Sequence, residues 1–264
     1  MDLKLKNKTA LVTGSTAGIG LAIAKRLISE GAHVILNGRS EERLVQRINE
    51  LRFEFPEALI KGVVTDFSNN SEYRTLFDSI DSVDILINNL GVYKAESFFE
   101  MADDEWYRQF EINVMSGVRL SRHFLPKMLH NNWGRILFIS SECAELAPPD
   151  MLAYSMTKAA MVAIAKGLAQ LTKSTGVTVN SVLPGSTLSE GAEQFLEDEA
   201  KKTNKTKQEV ESRFFKEVRT SSLLQRFADV DEVASTVAYY CSPLASATNG
   251  AAIKVEGGST GGLL

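Results

Sequence analysis

Tyr154 and Lys158 stand four residues apart, and Ser141 lies thirteen residues before the tyrosine. On a helix, side chains at that spacing leave from one face about a turn apart, so the ammonium of Lys158 can favour the phenolate of Tyr154 over the phenol. A free tyrosine ionises near pH 10, too high for an effective base near neutrality, and nearby positive charge would bring it down. Such a tyrosine can give a proton to a carbonyl oxygen or take one from an alcohol, while a serine hydroxyl bonds the same oxygen. The same Tyr-x-x-x-Lys spacing also occurs in surface pairs on many helices, so the elements around it must bring the three groups together.

Those elements alternate. Apolar runs rich in β-branched residues predict strands over 9–13, 33–36, 60–65, 84–88, 135–140, 178–183 and 251–255. Periodicity of about 3.6 residues predicts helices over 19–30, 41–53, 72–80, 104–129, 152–173 and 230–241. Short buried strands joined by helical crossovers make a doubly wound α/β architecture, a seven-stranded parallel sheet with helices on both faces and ligands at the carboxyl ends of its strands. Ser141 falls at the end of the run Ile136-Leu137-Phe138-Ile139, with Ser140 its neighbour and rival. Nothing in the sequence divides residues 1–264, which read as one domain.

A long charge-rich stretch, 189–224, interrupts the alternation. Structureless loops of that length are uncommon in compact domains, so helices are expected there, with Val210, Phe214 and Val218 on one stripe and i,i+4 pairs such as Lys207/Glu211 and Arg213/Glu217 outside it. We read it as a lid over a substrate site; a solvated insertion would have the same pattern.

The turn Thr13-Gly14-Ser15-Thr16-Ala17-Gly18-Ile19-Gly20 follows the first strand and opens the first helix. In that context glycines let the backbone approach a dinucleotide pyrophosphate, whose charge is favoured by the helix N-terminus. The spacing is GxxxGxG, and a tight turn without ligand would also use it. After the second strand the chain reads Asn37-Gly38-Arg39-Ser40. An acidic residue there would accept hydrogen bonds from ribose hydroxyls and repel a 2'-phosphate, whereas an arginine would pair with one. Arg39 without such a carboxylate favours NADP(H), leaving NAD(H) open; a solvated surface arginine would look the same.

Taken in order, the 13–20 turn, Asn88-Asn89-Leu90-Gly91, Asn113, Ser141, the Tyr154/Lys158 pair and Pro184-Gly185 have the order and spacing found in short-chain dehydrogenase/reductases. The chain resembles that family over residues 8–258, most of all its single-domain branch, which includes 3-oxoacyl-acyl-carrier-protein reductases. Leu90 stands where the family usually has alanine. The resemblance implies a Rossmann-type fold and an oxidoreductase acting on a carbonyl or alcohol. Tyr154 would be its general acid/base, Lys158 would hold the nicotinamide ribose, Ser141 the substrate oxygen, and Asn113 a water linking Lys158 to solvent. It also implies cofactor contacts at Gly14, Ser15, Thr16, Gly18, Ile19 and Gly20, at Asp66, Asn88 and Gly91, and along Pro184, Gly185, Ser186 and Thr187. Tyr93, the residues from Glu142 to Leu146 and the lid would form the substrate walls. A homotetramer or dimer is implied too, with the tail Gly261-Gly262-Leu263-Leu264 able to pack on a neighbour.

Composition limits the rest. A net charge of -4 without Lys/Arg clusters argues against nucleic acid, and no apolar run reaches membrane-spanning length. Cys143 and Cys241 lack disulfide or zinc-ligand spacing, as do His33, His123 and His130 for a metal, so a reducing, cytoplasmic setting without a metal site is expected. A dinucleotide sensor without turnover is the rival class; the complete constellation argues against it.

Overall fold

The computed structural model describes residues 1–69 and 71–262. In chain order the elements are β1 (Thr9–Val12), α1 (Gly18–Ser29), β2 (His33–Gly38), α2 (Glu41–Glu54), β3 (Ile60–Val64), α3 (Glu72–Ser79) and β4 (Ile85–Asn88). There follow α4 (Asp103–Phe110), a π-helical turn (Glu111–Met115), α5 (Ser116–His130), β5 (Gly134–Ile139), α6 (Cys143–Leu146), α7 (Leu152–Leu171), β6 (Val177–Pro184) and β7 (Thr187–Leu188). The chain ends with α8 (Glu190–Thr203), α9 (Lys207–Glu217), β8 (Ala228–Asp229), α10 (Val230–Cys241), a short 3-10 turn and β9 (Ala252–Val255).

Seven strands form one parallel sheet in the order β3-β2-β1-β4-β5-β6-β9. Every residue of β4, β5 and β6 is buried, as strands covered on both faces require. On one face Val12, Ile87 and Leu137 pack with Leu27 of α1 and Val237 of α10. On the other, Leu11, Leu86 and Phe138 pack with Phe124 of α5 and Met161 of α7. The chain runs outward from β1 through β2 to β3, then returns to β4 on the other side of β1. The crevice at the carboxyl ends of β1 and β4 is therefore the switch point, where this class of sheet binds ligands.

Two helical expectations change. The helix expected over 104–129 is broken at Glu111–Met115 into a π turn with Asn113 at its centre, a local widening that periodicity cannot register. The 189–224 segment does hold helices, α8 and α9, and their small core is Leu196, Val210, Phe215 and Phe227, with the Phe214 ring stacked on Phe227. Val218 falls beyond α9 and is exposed, so the expected stripe ends at Phe214 and Phe215. Arg213 does reach Glu217, at 3.9 Å, and also Glu199 at 3.7 Å. Lys207 bonds Glu197 on α8, not Glu211, at 2.6 Å, while Glu209 forms a capping box with Thr206. β7 and β8 pair in parallel where the insertion leaves and rejoins the main body. Leu263 and Leu264 lie outside the described residues.

A cluster with its own core should loosen by itself. Phe215→Ala should cost about 3 kcal/mol, the usual loss for a buried phenylalanine. Hydrogen exchange should then accelerate over residues 190–217 and stay unchanged in β4 and β5; equal acceleration in both would show one cooperative core.

Candidate active site

Side chains from three strands hold the glycine turn. Gly14 and Gly18 take left-handed backbone angles, φ +59° and +52°. A Cβ on Gly20 would lie 2.4 Å from the Gly14 carbonyl oxygen, so no other residue fits there. Thr13 Oγ1 donates to the Ile87 carbonyl at 3.2 Å and accepts from the Asn89 amide at 2.9 Å, tying β1 to β4. Asn89 Nδ2 donates to the carbonyls of Thr13 and Gly14 at 2.9 and 3.2 Å. Across β2, Asn37 Oδ1 accepts from the Gly14 amide at 3.0 Å and its Nδ2 donates to the Val63 carbonyl at 3.2 Å. The Asn37 amide donates to Ser15 Oγ at 2.9 Å, which commits that hydroxyl to the interior.

The residues fit a dinucleotide. α1 begins without a side-chain cap, since Ala17 offers none, so its first-turn amides stay open to an anion. At the end of β2, a Cβ on Gly38 would come within 2.6 Å of Thr16 Cγ2, which leaves no room for a carboxylate-bearing residue unless Thr16 moves. Arg39 is exposed beside Asp66. The Asp66 carboxyl is held below its ordinary range, chiefly by the Ser68 amide and hydroxyl, with Arg39 adding to the effect. Arg47, unmarked by any motif, donates from Nε to the Thr16 carbonyl at 3.1 Å and pairs with Glu190 at the start of α8.

The groups with reactive chemistry meet across the switch point. Lys158 is buried and its Nζ donates to the Ile139 carbonyl at 2.9 Å, while Ser140 Oγ donates to the Lys158 carbonyl at 2.8 Å. Ser140, the rival to Ser141, is thus a strand-to-helix tie. Burial brings the Lys158 ammonium down from 10.5 to about 8. Its nitrogen lies 5.4 Å from the centre of the Tyr154 ring. The Tyr154 phenol is pushed well above its ordinary value, first by burial and then by Cys143, with the Ser141 hydroxyl opposing. The downward shift expected from the helical spacing is therefore absent; burial outweighs it.

Asn113 accepts from the Val92 amide at 2.8 Å and donates to the Val92 carbonyl at 2.9 Å and to Thr157 Oγ1 at 3.0 Å. Its side chain clasps the loop after Gly91 to the residue before Lys158. Asn88 turns away as well, its Nδ2 toward Ser121 under α5, and the neighbouring Asn89 faces the turn. Beyond β6, Glu142 N donates to the Pro184 carbonyl, Gly185 N to the Val255 carbonyl, and Thr187 Oγ1 to the Gly185 carbonyl. Tyr93 is exposed, its ring centre 5.7 Å from that of Tyr154.

A cleft of about 320 Å³ joins these parts: Gly18, Ile19 and Gly20 of the turn, Asn89 and Gly91, Tyr154 and Lys158, and Ser189 to Gly191 leading into α8. A larger groove, about 880 Å³, lies at the amino ends of β2 and β3 and touches none of them. Asn37, Asn89, Arg47 and Thr157 escape motif reading because all four bond backbone groups; only Asn89 carried a signal, within the Asn88-Asn89 pair.

Residues 8–200 match the model of the short chain dehydrogenase family. The chain belongs to that family. An uncharacterised oxidoreductase of Bacillus subtilis (strain 168), YvaG, is 47% identical over 98% of both chains. The 3-oxoacyl-[acyl-carrier-protein] reductase FabG of Aquifex aeolicus (strain VF5) is 32% identical over 98% of this chain and 99% of its own. L-sorbose reductase from Gluconobacter frateurii, solved with NADPH and L-sorbose, superimposes with a TM-score of 0.92 at 30% identity over the whole of both chains. The short-chain dehydrogenase fold is thus established and the chain is an oxidoreductase; no helix among the described residues is long and apolar enough to cross a membrane.

A buried ammonium is destabilising, and pH reveals it. Folded Lys158 titrates near 8 and the unfolded residue near 10.5, so between these values the unfolded chain holds more protons and stability rises with pH. Lys158→Met should be more stable than the natural protein at pH 7 by about 1–3 kcal/mol. The gap should close from pH 8 to 10.5 in urea titrations; a pH-independent gap would show that burial does not lower the titration of Lys158.

Proposed function

We propose that the protein transfers a hydride between NADP(H) and a carbonyl or alcohol substrate, with Tyr154 as the general acid/base. The observation that carries this is the single cleft onto which the uncapped glycine turn, Tyr154 and Lys158 all open. The bound nicotinamide supplies the hydride. Tyr154, kept protonated by burial, suits donation to a carbonyl oxygen, which favours reduction at neutral pH. Ser141 Oγ accepts from the Cys143 amide at 3.2 Å, which orients the hydroxyl that would bond the same oxygen. Lys158, cationic below about pH 8, would hold ribose hydroxyls and offset negative charge developing on the phenolic oxygen. Asn113 would fix the spacing between the Gly91 loop and Lys158 as a positioning residue. The bare end of β2 at Gly38, with Arg39 after it, supports NADP(H) over NAD(H). The NADPH found in the solved L-sorbose reductase supports the same preference. The α8–α9 insertion, resting on its own core, would close over the substrate as a lid.

Tyr154→Phe should keep NADPH binding and lose carbonyl reduction by about 10²–10⁴-fold, the usual contribution of a positioned acid. A panel of ketones and aldehydes followed by nicotinamide absorbance tests this, and near-normal turnover would remove Tyr154 from the chemistry. Arg39→Ala should weaken NADPH by about tenfold or more and leave NADH nearly unchanged. Equal effects on both would refute the assignment to the 2'-phosphate.

A further inference from the structure

Where the second half of the chain returns to the glycine turn, a short strap crosses it. A Cβ on Gly18 would lie 3.3 Å from Ser189 Cβ, so residue 189 rests directly on the turn that opens α1. Ser189, Glu190 and Gly191 line the same cleft as Gly18, Gly20, Tyr154 and Lys158. Behind the strap, the β7–β8 ladder sets Thr187 beside Ala228 and Leu188 beside Asp229. Ahead of it, Ser189 caps α8 by accepting from the Ala192 amide.

An acid is out of place on such a strap. A free carboxylate over amides left open for an anion would repel a phosphate there. The charge of Glu190 is met from another helix: Oε1 accepts from Arg47 Nη2 at 3.2 Å and Oε2 from Arg43 Nη2, both on α2. Arg47 is itself fixed, with Nε on the Thr16 carbonyl at 3.1 Å and Nη1 on Glu50 at 2.7 Å. One guanidinium thus holds the glycine turn and the strap together. The start of α8 alone would favour an acid at Glu190, but it does not call for two arginines from α2.

Position decides what these pairs can do. A dinucleotide laid from Arg39 along the turn to Lys158 would pass under Ser189 and Glu190, and the strap would have to lift for it to enter or leave. Glu190 and Arg43 are half-exposed, and pairs of that kind are weak enough to part and re-form. They join two parts of the protein without any cofactor atom, so they favour the closed strap equally with the site filled or empty. A contact that does not distinguish two states leaves their balance alone and acts on the rate of passage between them. We propose that Glu190, gripped by Arg43 and Arg47, is a latch on the strap over the cofactor phosphates, a positioning residue that sets the rate of cofactor exchange and leaves affinity nearly unchanged. This rests on the dinucleotide reading above and adds to it a control on entry and release.

Stopped-flow nicotinamide fluorescence gives association rates for NADPH and NADH, and a chase with excess oxidised cofactor gives their dissociation rates. In Glu190→Gln, which keeps the shape and removes the charge, both rates should rise by about 3–10-fold for both cofactors, with Kd held within about twofold. Arg43→Gln should give a smaller rise of the same kind and serves if the first variant folds poorly; Arg47 is left in place because it also holds Thr16. Unchanged rates in both variants would overturn the proposal. So would a Kd that shifts several-fold, which would put Glu190 or Arg43 in contact with the cofactor, at the 2'-phosphate if the shift were confined to NADPH. In those cases the reductase reading stands, because the natural protein still binds its cofactor. A natural protein that binds neither NADPH nor NADH would remove both.

Discussion

Lys158 carries its ammonium into a place where burial has brought it to about 8, and one carbonyl, that of Ile139, meets it there at 2.9 Å. An amine in such a place stays where it is only if the surrounding backbone is held, because each polar group it could turn to lies on a different element. The Ser140 hydroxyl fixes the Lys158 carbonyl, and Asn113 grips Thr157 and Val92 on either side. The parallel sheet brings the ends of β4 and β5 under α7. The arrangement costs stability and serves no packing purpose that a methionine could not serve. A charge retained at that cost beside a phenol and an anion-ready helix start is the physical ground for proposing the reaction site here.

The same burial acts on both titrating partners, and in the same sense: it raises the phenol and lowers the amine, so each is driven toward its uncharged form. Helical spacing can bring the two onto one face but cannot decide this balance, because the balance depends on how much water the rest of the fold excludes. That is why Tyr154 and Lys158 could be picked out as a pair from the sequence while the direction of the tyrosine shift could not. The strands were legible for the opposite reason. Residues such as Ile85 to Ile87 and Ile136 to Ile139 are apolar because both sheet faces are covered, and composition alone reports that. The π turn at Asn113 was not, since one extra residue in a turn leaves the apolar period nearly intact.

Polar residues that bond backbone were the least legible. Asn37 stitches β1, β2 and β3 beneath the glycine turn, yet in the sequence it was only the place where an acidic residue was missing. Gly38, beside it, reads as flexible but is fixed by Thr16, whose methyl group occupies the space of any side chain there. The proposed cofactor surface would thus be shaped by what is absent from β2 as much as by Arg39.

The α8–α9 insertion relates differently to the chemistry. Its aromatic core, Phe214, Phe215 and Phe227 with Leu196 and Val210, belongs to neither face of the sheet. It reaches the site through a few polar links: Glu190 to Arg43 and Arg47 on α2, the β7–β8 ladder, and Arg219 to Glu142. A unit with its own core and few attachments can change sequence, or tilt, without disturbing Lys158 or the glycine turn. Of these links only the last reaches the residue beside Ser141, so a difference in what the insertion grips can reach the reacting centre through one buried carboxylate. On the proposed reading, proton transfer and substrate choice would fall to separately stabilised parts of one chain.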